Sequence, residues 1–207
     1  MKEYTVTIET LSDTMLGSGE SMPGFIDNDV KYDDNGLPYM FAKTLKGHIR
    51  EQMEMLVCFS NDHGKPRYCK EDVDDLLGPD EDEKFKKYGR LKFTNVELES
   101  NVRKAIVSAI RGKEVSASEI LEAMTMTYSS TRIAPETGVA MEHSLRRERM
   151  VRTGFTFETK LYLDDEGLDE DTQKKYEKLI IDSFRALQHI GTHKSKGKGH
   201  VNCEVKP

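Results

Sequence analysis

Residues 154–206 read GFTFETKLYL, DDEGL, DEDTQKKYEKLIIDSFRALQHI, GTHKSKGKGH and VNCEVK, and their order decides the fold. In 154–163, Phe155, Phe157, Leu161 and Leu163 fall on alternate positions, the spacing of a strand with one buried face. From about Asp169 to Gln188 the spacing changes to three and four. Tyr176, Leu179, Ile180, Phe184 and Leu187 then share a side, which predicts an amphipathic helix stopped at Gly191. Val201, Cys203 and Val205 alternate again over 200–206. The same succession stands in the first half. Tyr4, Val6 and Ile8 predict a strand over 4–11, and Leu45, Ile49, Met53, Leu56 and Val57 a helix over 43–57. A strand over 90–98 follows, with Leu91 and Phe93 on one face and a phase slip before Val96 and Leu98 that predicts a bulge. The order is β-α-β-β-α-β, that of a ferredoxin-like or RRM-like α+β sandwich.

Between these elements lie long excursions. Residues 12–42 have no periodic stretch and carry the turn signal Asp34-Asn35-Gly36. Residues 58–88 read as an irregular insertion, and 101–127 as helical around Ala105, Ile106, Ala109 and Ile110 and again around Ile120, Leu121 and Met124. The ends of 128–152 either pair as an extended hairpin arm or include a helical turn at 142–150, where Glu142 and Arg146 have ion-pair spacing. Without a repeat or a dividing linker, residues 1–207 read as one domain with insertions at 58–88 and 128–152.

Of the 207 residues, 36% are hydrophobic and 33% charged, a soluble globular composition. No apolar run approaches the roughly 18 residues that span a bilayer, so no membrane partner is expected. MKEYTVTIETL lacks a signal-peptide pattern, and Cys58, Cys69 and Cys203 are too scattered for a disulfide framework. A reducing, cytoplasmic setting is the expectation.

The net charge is −6, but the acids are segregated. Residues 71–83 hold eight acids and 164–171 six, with no Lys or Arg in either; without those acids the remainder carries +8. This fits either a polyanion-binding face or two solvated acidic loops. In the loop 191–200, Gly191, Gly197 and Gly199 allow close backbone approach, and Lys194, Lys196 and Lys198 add charge around His193 and Ser195. It is either an anion-binding loop or a basic turn, and it lacks the Walker pattern. Lys43, Lys46 and Arg50 share a helix face near its N-terminus, where a bound phosphate would offset their opposition to the helix dipole. Arg132, Arg146, Arg147, Arg149 and Arg152 suit backbone contacts along a nucleic-acid strand. Asp33 and Asp34 are explained as turn formers, whereas Asp27 lies outside any turn signal and is either solvated or placed for Mg²⁺ and phosphoryl transfer. Cys58, His63 and Cys69 provide three local donors for a structural Zn²⁺, one short of the usual four, or are two ordinary thiols beside a histidine.

Together, Leu16-Gly17-Ser18-Gly19, Phe25-Ile26-Asp27-Asn28, Gly36-Leu37-Pro38-Tyr39 and Leu45-Lys46-Gly47-His48-Ile49-Arg50 are similar to the start of RAMP-superfamily proteins. The best match is the repeated backbone subunit of type III CRISPR effector complexes. Gly191–Gly199 resembles the family's glycine-rich loop, while Tyr88-Gly89-Arg90-Leu91-Lys92-Phe93, Arg132-Ile133 and Gly154-Phe155-Thr156-Phe157-Glu158 run in the expected order. Thr192 stands where the family often has a second glycine. The resemblance implies copies packed side by side on a guide RNA, with other effector subunits and target RNA as partners. It implies that 128–152 is a thumb interrupting the guide–target duplex, that Lys46, Arg50 and 191–199 hold guide backbone, and that Asp27 supports divalent-metal-dependent target cleavage. The alternatives are a guide-binding scaffold that does not cut, an endoribonuclease that processes precursor guide by acid–base chemistry, and a domain unrelated to RNA.

Overall fold

The computed structural model describes residues 1–22, 24–59, 61–62, 65–79 and 88–206, with 61, 62, 65 and 66 described by backbone alone. The elements are β1 (Lys2–Thr10), α1 (Ala42–Phe59), β2 (Asn61–Asp62), β3 (Lys65–Pro66), α2 (Lys70–Leu77), β4 (Leu91–Phe93), β5 (Glu97–Leu98), α3 (Ser100–Arg111), α4 (Ala117–Met124), β6 (Thr125–Ser130), β7 (Arg146–Val151), β8 (Thr156–Leu163), α5 (Glu170–Ala186) and β9 (Val201–Lys206). The main sheet runs β4/β5–β8–β1–β9, every pairing antiparallel. This is the ferredoxin-like α+β arrangement, in which the first and third main strands, β1 and β8, are central and the C-terminal β9 lies at the edge.

Tyr4, Val6 and Ile8 of β1 and Phe157, Leu161 and Leu163 of β8 are buried on one sheet face. Leu45, Ile49 and Met53 of α1 and Leu179, Ile180 and Phe184 of α5 close over that face. The opposite face carries Thr5, Thr7, Glu158 and Glu204 and remains polar. Leu91 pairs with Leu163 and Phe93 with Leu161, but Leu98 pairs with Phe157, so one extra residue is accommodated between β4 and β5. That is the bulge, and Asn95 within it caps α1, its Oδ1 accepting the Ala42 N–H at 2.9 Å.

Three differences from the periodicity have physical reasons. Helix α5 ends at Ala186, before Gly191, because Val201 N–H donates to Gln188 O and Ile190 N–H to Gly199 O, turning 188–190 into a short ladder that closes the glycine loop. The 58–88 stretch contains α2, whose Val73, Leu76 and Leu77 are buried; eight residues rich in acids show too little apolar spacing to reveal it. The 101–127 stretch splits into α3 and α4 at Gly112–Ser116, where Ser116 forms a capping box with Glu119. The ends of 128–152 lie in β6 and β7, paired from Thr125↔Val151 to Ser130↔Arg146. Among the described residues no helix is long and apolar enough to cross a membrane.

Ile49 is fully buried where α1 meets the sheet. Ile49→Ala is expected to lower stability by about 2–5 kcal/mol, seen as a lower urea midpoint with an unchanged slope.

Candidate nucleic-acid interface

The long first loop is folded by local pairings, Gly17↔Val30, Met22↔Ile26 and Tyr32↔Pro38, and joined to the β6–β7 ribbon by Thr14↔Val151 and Asn28↔Glu148. Its acids divide by role. Asp33 accepts the Asn35 and Leu37 N–H groups and an Arg103 guanidinium, holding a turn. Asp29, 6% exposed, accepts the Val30 N–H and both Arg149 contacts, at 3.1 and 3.2 Å. Asp27 is exposed at the ribbon's base. Its Oδ2 accepts the Arg147 N–H at 2.7 Å while its own N–H donates to Arg147 O at 2.8 Å. The other carboxylate oxygen has no hydrogen-bond partner among the described residues.

Beside Asp27 the ribbon turns Glu148 inward, leaving it 8% exposed. The Asn28 amide donates to Oε1 at 2.6 Å, and His193 Nε2 lies 3.1 and 2.9 Å from the two oxygens. Burial pushes the Glu148 carboxyl up, but the Asn28 and His193 hydrogen bonds and the charges of His193 and Lys196 outweigh it and hold it below its ordinary range. His193 adopts the left-handed conformation, φ 64°, at a cost of about 1 kcal/mol that this hydrogen-bonded contact helps offset.

The rest of the glycine loop is anchored in the same manner. Lys194 pairs with Glu51 of α1 at 3.2 Å. Lys198 lies 3.1 Å from Asp13 and 4.0 Å from the Tyr128 ring centroid, and the Tyr128 hydroxyl also donates to Asp13. Burial raises the Asp13 carboxyl, but Tyr128 and Lys198 outweigh it and hold it low. Gly191 N–H donates to His48 Nε2 at 3.2 Å, and burial together with Lys194 pushes that imidazole down, keeping the acceptor nitrogen unprotonated at neutral pH. A Cβ on Gly191 would stand 2.1 Å from Met15 O, and one on Gly199 2.1 Å from Ile190 O. Both glycines have positive φ, so backbone approach as well as conformation requires them. Gly197 closes the 3-10 turn Lys194–Lys196, also at positive φ.

Of the cations singled out in the sequence, Lys43, Arg132, Arg146 and Lys196 are exposed, as is Ser195. Lys46 is half-buried, and burial with Arg50 nearby lowers its ammonium pKa. Arg50 turns away from the glycine loop, donating to Gly78 O and lying 3.6 Å from Asp74. Arg149 and Lys198 are held by Asp29 and Asp13 and act on the fold. Cys58 is exposed, and the Cys69 thiol, pushed up by burial and by donating to Asp72 at 3.1 Å, is kept protonated; His63 lies outside the described residues. Among the described residues no group of three or more His, Cys, Asp or Glu stands ready to hold a metal.

Asn28, Glu148, Asp13 and Tyr128 were not singled out by the sequence. Glu148 carried one signal: with Met150 it occupies alternate positions of a strand, an acid on the inward face amid outward arginines.

The sheet order, the closed glycine loop and the paired arm define an α+β sandwich built to present one loop and one ribbon at a common junction. The RAMP superfamily matches residues 7–202, and the chain belongs to that family. Among solved structures it is similar to a chain of the type III-B Cmr-beta complex bound to cognate target RNA, with 16% identity and a TM-score of 0.71 over 99% of this chain and 97% of that one. It is also similar to a chain of Cmr-beta in the apo state, with 15% identity and a TM-score of 0.68 over 98% and 96%. A comparison with curated proteins finds none that matches.

Because the Glu148 pKa is depressed in the fold, its contribution to stability is complete above its ordinary value of 4.5 and lost as pH falls through the lower folded value. Glu148→Ala is expected to cost about 2 kcal/mol at neutral pH, with the gap to wild type narrowing below pH 4.5 in urea titrations.

Proposed function

We propose that this chain is a backbone subunit of a CRISPR effector complex, binding guide RNA in several copies and cutting complementary target RNA at an Asp27-centred site. One observation carries the reading: Asp27 stands exposed where the arm, the first loop and the glycine loop meet. Membership of the RAMP superfamily and the likeness to Cmr-beta chains support RNA and other effector subunits as its partners. Lys43, Lys196, Arg132, Arg146 and Arg147 are exposed cations for RNA phosphates, a binding mode that weakens with salt.

The Arg147 amide fixes one Asp27 oxygen and leaves the other outward, a hard donor of the kind Mg²⁺ takes together with substrate phosphates. A divalent cation held there would polarise the scissile phosphate. Arg147 positions the carboxylate through its backbone, so its side chain remains available to the RNA strand. A second reading, guide binding without cutting, is favoured by the lack of a ready three-donor metal cluster among the described residues.

Coexpression with a repeat–spacer array, followed by sequencing of the copurified RNA, tests the binding role. Discrete guide-length RNA is expected, and protein free of RNA beside its genomic neighbours would remove the reading. In the assembled complex, Asp27→Ala and chelation should each abolish target cutting while the guide is retained. Undiminished cutting by Asp27→Ala would leave the scaffold reading. Lys196→Ala should weaken RNA binding and reduce the magnitude of the log–log salt slope by about one.

A further inference from the structure

The structure places a carboxylate–imidazole pair beside Asp27 that the metal-assisted reading does not use. Glu148, 8% exposed, meets His193 Nε2 with both oxygens, at 3.1 and 2.9 Å. A carboxylate held ionised can only accept, so Nε2 carries the hydrogen and Nδ1 is left with the lone pair in the neutral ring. Nδ1 has no hydrogen-bond partner among the described residues, and the side chain is 24% exposed. A histidine whose one nitrogen is fixed by a buried carboxylate while the other is unpartnered among the described residues, in a partly exposed ring, is arranged as a general base.

Its position follows from the ribbon. Asp27 binds the amide of Arg147, the residue before Glu148, and Asn28 and His193 bind Glu148 itself, so the imidazole and the Asp27 carboxylate are held on consecutive residues of β7. His193 has a left-handed backbone, and its ring meets Glu148 of the ribbon.

We infer that His193, oriented by Glu148, is the general base for RNA cleavage at this junction, an assignment that rests on the cutting role proposed above. Nδ1 takes the proton of the ribose 2′-hydroxyl as O2′ bonds to the adjacent phosphorus. The P–O5′ bond breaks, O5′ takes a proton from solvent water, and the imidazolium returns its proton to solvent. The products are a 2′,3′-cyclic phosphate and a 5′-hydroxyl end.

The test uses the assembled complex and target RNA, with guide retention measured for each variant. His193→Gln keeps a hydrogen bond to Glu148 but cannot transfer a proton; it should retain guide RNA and cut at least about 100-fold more slowly. His193→Ala should be equally slow and partly restored by added imidazole. A wild-type target with a 2′-deoxy sugar at the scissile nucleotide should remain intact. Three results would overturn the assignment while leaving the proposed function standing: His193→Gln cutting within a few-fold of wild type, cutting of the 2′-deoxy target, or loss of guide RNA in His193→Gln. A wild-type complex that holds guide RNA and cuts nothing would overturn both the cutting role and this inference.

Discussion

A buried carboxylate requires partners on every side that water has left, and Glu148 obtains them from two distant segments. Asn28 lies 120 residues before it and His193 45 residues after it. Removing either partner leaves a charge in a poorly solvated place, so the arrangement forms completely or not at all. The first loop, the arm and the glycine loop thereby hold one relative position. The first loop also buries Met15, Leu16, Val30, Leu37 and Met40 in the core, so the polar contacts at Glu148 add to that burial in fixing the junction.

The same logic governs the glycine loop's lysines. Lys194 is matched by Glu51 and Lys198 by Asp13 with the Tyr128 ring, so two of three cations serve the loop's shape. The charge left outward is that of Lys196, with Lys43 and the arm arginines on neighbouring elements. An overall acidic protein thus presents a local basic junction, because among the described residues many acids are paired beneath the cations, as Asp13, Asp29 and Glu51 are, or sit elsewhere on α2 and around the start of α5. The polar outer face of the sheet carries carboxylates such as Glu158 and Glu204, which makes it a poor surface for phosphates.

Much of the fold was legible from residue spacing. Alternation in 4–11 and 154–163 and helical spacing in 43–57 and 169–188 report local geometry, and the slip before Val96 reported the bulge because a bulge shifts which side chains face inward. Helix α2 was not legible, since its acid-rich eight residues bury only three apolar side chains, Val73, Leu76 and Leu77, in the core beside α1. At the junction, Asp27 was legible as an acid without a turn to explain it, and the role of Asp33 was legible from turn chemistry. The roles of Arg50, Arg149 and Lys198 were not, because a cation's partner is chosen in three dimensions.

By itself, the sequence determined the order of the main-sheet strands and of the two helices that cover them, the face each one buries, and the places where glycine is needed to turn the chain. These follow from backbone geometry acting over a few residues. Tertiary structure alone decided which carboxylate meets which base, which of Asp27 and Asp29 remains exposed, and that His193 faces Glu148. Those pairings join groups far apart in the chain, and their strength depends on burial that exists only once the sheet and its loops have closed together.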